Sequence, residues 1–138
     1  MSTSRLTTKV QELYAAFGRG DLAFILNRLA PDVVWEIQGP AGVPLFGQRQ
    51  GREEVAAFFR ILAEHFDVEK FEPREFIAEE DQVVVIGLER TRVRKNGRVS
   101  EGEWVHVWEF QGGMAVHFRE FSNTAAVAEA FTAARAAA

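Results

Sequence analysis

The chain contains no cysteine. Disulfides, thiolate metal sites and cysteine nucleophiles are therefore excluded. Long apolar runs are missing as well. The longest, Val83–Leu88 with Gly87 counted in, is about six residues, against the roughly 20 that a membrane-spanning helix needs. The opening MSTSRLTTK has no leader-like apolar stretch. No glycine-rich phosphate loop and no nucleophile elbow occurs. A basic surplus is absent too, with 16 Lys and Arg against 20 Asp and Glu and a formal charge of −4. Arg90, Arg92, Arg94, Lys95 and Arg98 do cluster, but Glu89, Glu101 and Glu103 lie among them, so a nucleic-acid partner is not expected. The histidines and glutamates show no compact metal-ligand spacing, and no cofactor is expected. These absences predict a cytoplasmic protein with no membrane partner.

What is present is aromatic. Twelve phenylalanines and three tryptophans occur in 138 residues, of which 47% are apolar and 26% charged. A chain of this length reads as one domain, 1–138, and buries roughly 68–70% of its unfolded surface, enough to tolerate an internal cavity. The most informative stretch is Gly102–Phe121, GEWVHVWEFQGGMAVHFREF. In a strand successive side chains point to opposite sides. Trp104, His106, Trp108 and Phe110 then share one face, which resembles the wall of an apolar pocket holding one titratable group.

Apolar spacing predicts two N-terminal helices. Leu6, Val10, Leu13, Tyr14 and Phe17 mark the first, which Gly18 and Gly20 end. Asp21 caps the second, with Leu22, Ile25, Leu26 and Leu29 on its stripe and Pro31-Asp32 breaking it. A short strand follows at Val33–Ile37. Gly39–Gln50 reads as a loop whose Val43, Leu45 and Phe46 fold back either as a lid or as a core cap. Val55, Phe58, Phe59, Leu62 and Phe66 mark a third helix. Strands are predicted at Val68–Ala78, where Pro73 implies a bulge or an edge, and at Gln82–Arg94, Val99–Phe110 and Ala115–Ser122. Asn123 or Thr124 caps a last, alanine-rich helix. The pattern is α+β with a C-terminal meander.

Register decides what enters the pocket. A two-residue turn at Asn96-Gly97 sets Gly87 opposite His106, Glu89 opposite Trp104 and Val85 opposite Trp108, and pairs Arg90 with Glu103 and Arg92 with Glu101 on the other face. A three-residue turn with a bulge instead turns Arg90 and Arg92 inward. At Gly112-Gly113 a strict two-residue turn puts Arg119 opposite His106. A one-residue bulge turns Phe118 and Glu120 inward, leaves His117 outside, and fits the apolar pattern better.

The segments VQELYAAFGRGD, LAPDVVWEI, GREEVAAFFRIL, FIAEEDQVVV and VHVWEFQGGMAVHFREFSNT together resemble the nuclear transport factor 2-like superfamily, in its SnoaL-like and ketosteroid isomerase-related branch. The resemblance implies a curved mixed sheet wrapped as a cone, helices closing its open side, and a pocket within. It also implies homodimers formed through the outer sheet face, here Val84, Ile86, Leu88, Val105 and Val107, a surface too apolar to leave in water. The ketosteroid isomerase roles fall on Leu13, near Ile37 and on His106, so that mechanism does not carry over. Phe118-Arg119-Glu120-Phe121 resembles a limonene epoxide hydrolase strand and places Glu120 at a catalytic aspartate, with Glu89 on the other.

The expected site is therefore His106, as general acid or base, with Glu89 or Glu120 orienting it. Trp35, Trp104, Trp108, Tyr14, Phe59 and Phe118 are expected to hold a small apolar ligand. A non-catalytic binder would turn Glu89 and Glu120 outward. A structural dimer would pack Trp35, Trp104 and Trp108 together with no void. His65 reads as a surface residue.

Overall fold

The computed structural model describes residues 3–135. Helix α1 (Thr3–Gly18) buries Leu6, Val10, Leu13 and Ala16. It ends in a Schellman motif. Gly20 takes φ 74°, its N–H bonds the Phe17 carbonyl, and the Asp21 N–H bonds the Ala16 carbonyl at 2.8 Å. The Asp21 carboxylate then accepts the Phe24 N–H at 3.1 Å and starts α2 (Leu22–Asn27).

The second helix is shorter than its apolar stripe predicts. Leu29 and Pro31-Asp32 lie in strand β1 (Leu29–Ile37), which is irregular between Leu29 and Val34. The proline is tolerated at that irregularity. The loop predicted to reach Gln50 contains a short edge strand, β2 (Gly47–Gln50), which its polar sequence gives no cause to expect. Helix α3 (Arg52–His65) follows, with Glu53 and Glu54 in its first turn favouring the helix dipole. Then come β3 (Phe66–Glu79), β4 (Gln82–Val93), β5 (Val99–Gln111), β6 (Met114–Ser122) and α4 (Thr124–Thr132), the last capped by the Asn123 side chain.

The strands form one curved, open six-stranded sheet in the order β2-β1-β6-β5-β4-β3. It is mixed, because β1 and β6 run parallel while the other pairs are antiparallel. Helices α1 and α3 pack on the inner face and, with it, enclose the aromatic core. Strand β3 is an edge and shifts register between Pro73 and Glu75. An unbroken strand would send Phe71 and Phe76 to opposite faces. The bulge resets the alternation, so both pack on the core.

The β4–β5 register differs from expectation by two residues. Val85 faces His106, Gly87 faces Trp104, and Glu89 faces Gly102. The connection is a four-residue turn, with the Gly97 N–H bonding the Val93 carbonyl and the Val93 N–H bonding the Arg98 carbonyl. Only Gly97 takes a positive φ. The cause is tertiary. Asn96 is buried, and its amide donates to the Ala130 and Ala133 carbonyls at the end of α4 at 2.7 and 3.1 Å. A shift of two leaves every side chain on its predicted face. It does change partners. Arg90 pairs with Glu101 and Glu69, not Glu103. Arg92 takes Glu69, not Glu101. Glu69 sits on β3, so it was invisible to reasoning about the β4–β5 hairpin alone.

The β5–β6 hairpin carries the bulge, between Glu109 and Phe110, and sets Trp108 against Phe118 and His106 against Glu120. His117 lies on the outer face, bonded to Glu36 at 3.0 Å. His65 is half-buried rather than exposed, with its ring edge on Phe66 and Phe131.

Gly87 is fixed by a close approach. A β-carbon there would lie 2.3 Å from the Trp104 indole and 2.5 Å from the Glu72 carbonyl oxygen. Neither an indole in a stack nor backbone can give way cheaply. Gly87→Ala is expected to destabilise the fold by about 1–3 kcal/mol, as overpacked cores do. Urea denaturation measures this, and an unchanged midpoint contradicts the packing described.

Candidate functional site

The bulge in β5–β6 and the even register of β4–β5 converge on one place. His106, Trp108, Phe118, Glu120 and Glu89 all line a half-open cavity of about 100 Å³. Helix α1 adds Tyr14 and Phe17, and α3 adds Phe58 and Phe59. The loop before β2 contributes Leu45 and Phe46, and Val43 packs with Phe66 and Phe131. The loop thus both caps the core and covers the cavity.

His106 is buried, and both of its nitrogens are engaged. Nε2 lies 2.8 Å from Glu120 Oε1, and Nδ1 lies 2.8 Å from the Tyr14 hydroxyl. The Trp108 indole N–H donates to that same hydroxyl at 3.0 Å. The order of donation follows. Trp108 can only donate and the Glu120 carboxylate can only accept, so a neutral His106 carries its proton on Nε2 and accepts the tyrosine proton at Nδ1. The imidazole then donates from Nε2 to the Glu120 carboxylate. Every member is satisfied once in this arrangement, which a buried network requires. Burial holds the Tyr14 phenol well above the usual tyrosine range. The Trp108 hydrogen bond opposes that rise, and the Glu120 charge adds to it.

Aromatic faces fix the imidazole in place. Trp104 stacks on it at a centroid distance of 4.0 Å, with Tyr14 nearly parallel at 5.8 Å. Trp104 itself does not line the cavity. It is sandwiched between His106 and Phe71, and its indole N–H has no partner among the described residues. Of the six residues expected to hold a ligand, Tyr14, Trp35, Phe59, Trp108 and Phe118 line the space and Trp104 backs it. Sequence reasoning did not single out Phe71, Thr91, Ser100 and Ser122, which also line it. Phe71 was obscured by the β3 bulge. The three hydroxyl residues gave no signal beyond strand alternation.

Glu89 differs from its neighbours. Its carboxyl points into the cavity and makes no hydrogen bond or ion pair among the described residues. Facing Gly102 gives it space that a larger residue would fill. Burial first, and the Glu120 charge second, push the Glu89 carboxyl up to about 7. That rise from 4.5 corresponds to roughly 3 kcal/mol against ionisation in the fold. A group balanced near neutral pH can both take and return a proton. The strong cations nearby are spent elsewhere. Arg90 and Arg92 face outward onto Glu69, whose carboxyl they hold below its ordinary range.

Among the described residues no three His, Asp or Glu side chains gather as a metal-ligand set, and no helix is long and apolar enough to cross a membrane.

The SnoaL-like domain family matches residues 10–118, most of the chain, ending within β6 just before Glu120. This protein belongs to that family. An NTF2-like protein of Burkholderia xenovorans LB400 is 32% identical, covers 96% of this chain and 99% of its own, and superposes with a TM-score of 0.87. An NTF2-like protein of unknown function from Burkholderia pseudomallei K96243 is 38% identical, with coverage of 96% and 100% and a TM-score of 0.83. TerC, co-crystallized with polyporic acid, is 28% identical over 90% of this chain and 95% of its own, with a TM-score of 0.79. None of the curated proteins matches. This SnoaL-like chain thus has the NTF2-like fold that its sequence resembles.

The raised Glu89 group links stability to pH. Below about pH 4.5 the carboxyl is protonated in both folded and unfolded chains. Between about 4.5 and 7 the unfolded chain releases the proton while the fold retains it, so stability falls as pH rises, then levels off. Glu89→Gln removes this loss. It is expected to be more stable than the parent by about 1–3 kcal/mol at pH 8 and equal to it near pH 4. Paired denaturation curves at the two pH values check this, and a difference independent of pH contradicts it.

Proposed function

We propose that this SnoaL-like protein is a small enzyme that performs cofactor-independent acid–base chemistry on an apolar small molecule, with Glu89 exchanging the proton. One observation carries the reading: an unpartnered carboxyl faces an aromatic cavity beside a polar chain that is already closed on itself. The roles expected from the sequence are redistributed. His106 touches no free space with an unused nitrogen, so it and Tyr14 act as positioning residues that orient Glu120. Glu89 is the group with its oxygens free.

The chemistry follows from the surroundings. Phe59, Trp108 and Phe118 hold the apolar body of the substrate and exclude water. The Glu89 carboxylate removes a proton from an activated C–H or O–H of the bound molecule. Returning it to a different atom completes an isomerisation or a ring closure, and passing it to a leaving oxygen completes an elimination. The fixed Glu120 charge raises the basicity of Glu89. TerC, which is similar to this chain, was co-crystallized with polyporic acid, and this supports a small-molecule occupant.

A pure binder with its carboxyls turned outward fits less well, since Glu89 and Glu120 both face the cavity. A filled structural core also fits less well. Trp104 and Trp35 pack tightly, yet about 100 Å³ stays open.

Nitrobenzisoxazole, a carbon acid opened by desolvated carboxylate bases, tests the reading without knowledge of the natural substrate. The parent is expected to accelerate ring opening with an inflection near pH 7. Glu89→Gln is expected to lose about 10²-fold or more of the rate. A parent rate no greater than that of free acetate, or full activity in the variant, overturns the assignment.

We also infer a homodimer through the outer sheet face. That face carries Val84, Ile86, Leu88, Val105 and Val107, and Phe121 beside Val105 is 41% exposed. Sedimentation is expected to give twice the 15.5 kDa chain mass, and Val105→Glu is expected to give one. A monomeric parent removes the inference.

A further inference from the structure

The charges around the cavity restrict what can occupy it. Among the described residues no lysine or arginine lines the space. The arginines of β4 are turned away and held by carboxylates, Arg90 on Glu69 and Glu101, and Arg92 on Glu69. Arg119 lies opposite Val107 on the outer face. Two carboxyl groups do line it. Glu89 has no partner among the described residues, and Glu120 uses Oε1 on His106 while Oε2 takes no protein donor.

The rest of the lining matches these two groups. Thr91, Ser100 and Ser122 also line the cavity. Phe71, Phe59 and Tyr14 line it as well, and aromatic rings attract cations through their electron-rich faces. An anionic ligand would meet like charge here and find no cationic side chain among the described residues to neutralise it. A wholly apolar ligand would leave Glu89 without a partner. A cation with hydrogen-bond donors satisfies both carboxyls and is held by the rings.

Size limits the body of the ligand. The space of about 100 Å³ is of the order of the roughly 150 Å³ cavity known to take up benzene, and it opens to solvent on one side, which leaves room for a short substituent on one ring.

We infer that the occupant is an amine: an ammonium group on a compact, single-ring apolar body, with the ammonium between Glu89 and Glu120. The inference rests on the acid–base reading of the same cavity and names the class of molecule on which that chemistry acts.

Four probes of one shape test it on the intact protein: benzylamine, benzyl alcohol, toluene and benzoate, titrated by heteronuclear NMR at pH 8. Benzylamine is expected to bind tightest, by roughly tenfold over benzyl alcohol, with toluene weaker and benzoate undetected. In Glu89→Gln the advantage of benzylamine over toluene is expected to disappear while toluene binding persists, which shows that the cavity is intact. Benzoate binding as tightly as benzylamine, no binding of benzylamine, or an amine preference that survives in Glu89→Gln overturns the inference. Should the variant not fold, the order of the four probes on the parent decides by itself. Amine preference without nitrobenzisoxazole turnover removes the catalytic role and keeps the ligand class. Turnover without amine preference does the reverse.

Discussion

Four polar groups sunk into an aromatic core must satisfy one another, and the rest of this structure is arranged around that requirement. The chain from Trp108 through Tyr14 and His106 to Glu120 joins α1, β5 and β6 by three short hydrogen bonds. A buried donor or acceptor without its partner costs about 1–3 kcal/mol, so the network specifies one relative placement of helix and sheet. Trp104 reinforces it by stacking on the imidazole, and Gly87 exists in its bare form so that Trp104 can lie there.

A closed network does not itself react. Its contribution is to fix one negative charge at Glu120 and leave Glu89 alone opposite a glycine. The difference between the two carboxyls is one of environment. One has a hydrogen-bond donor and the other has none. Burial and a neighbouring charge then act in the same direction on the unpartnered group. A satisfied carboxylate and an unsatisfied one thus face the same cavity from a single strand-built wall.

Much of this arrangement was legible in the strands. Alternation over Trp104–Phe110 assigned His106 to the inner face, and the apolar pattern Val116, Phe118 favoured the bulge that brings Glu120 beside it. Glu89 faces inward in both the two-residue-turn register and the observed one, because the two differ by an even shift, which preserves faces. The partners within the hairpin did not hold. Asn96 serves the end of α4, and Glu69 comes from the neighbouring strand, so neither influence lies within the hairpin sequence. The double role of the loop at Val43–Phe46 and the inward turn of both Phe71 and Phe76 were hidden for the same kind of reason.

The sequence by itself determined most of the elements, the faces of β4, β5 and β6 and the family scaffold, because alternation and spacing are local properties of the chain. Tertiary structure alone decided which nitrogen of His106 meets which partner, that Trp104 backs the wall rather than lining it, and that Glu89 is the carboxyl left free. Those outcomes depend on distances between residues as far apart as Tyr14 and His106. A chain settles such distances only when its helices and sheet pack against one another.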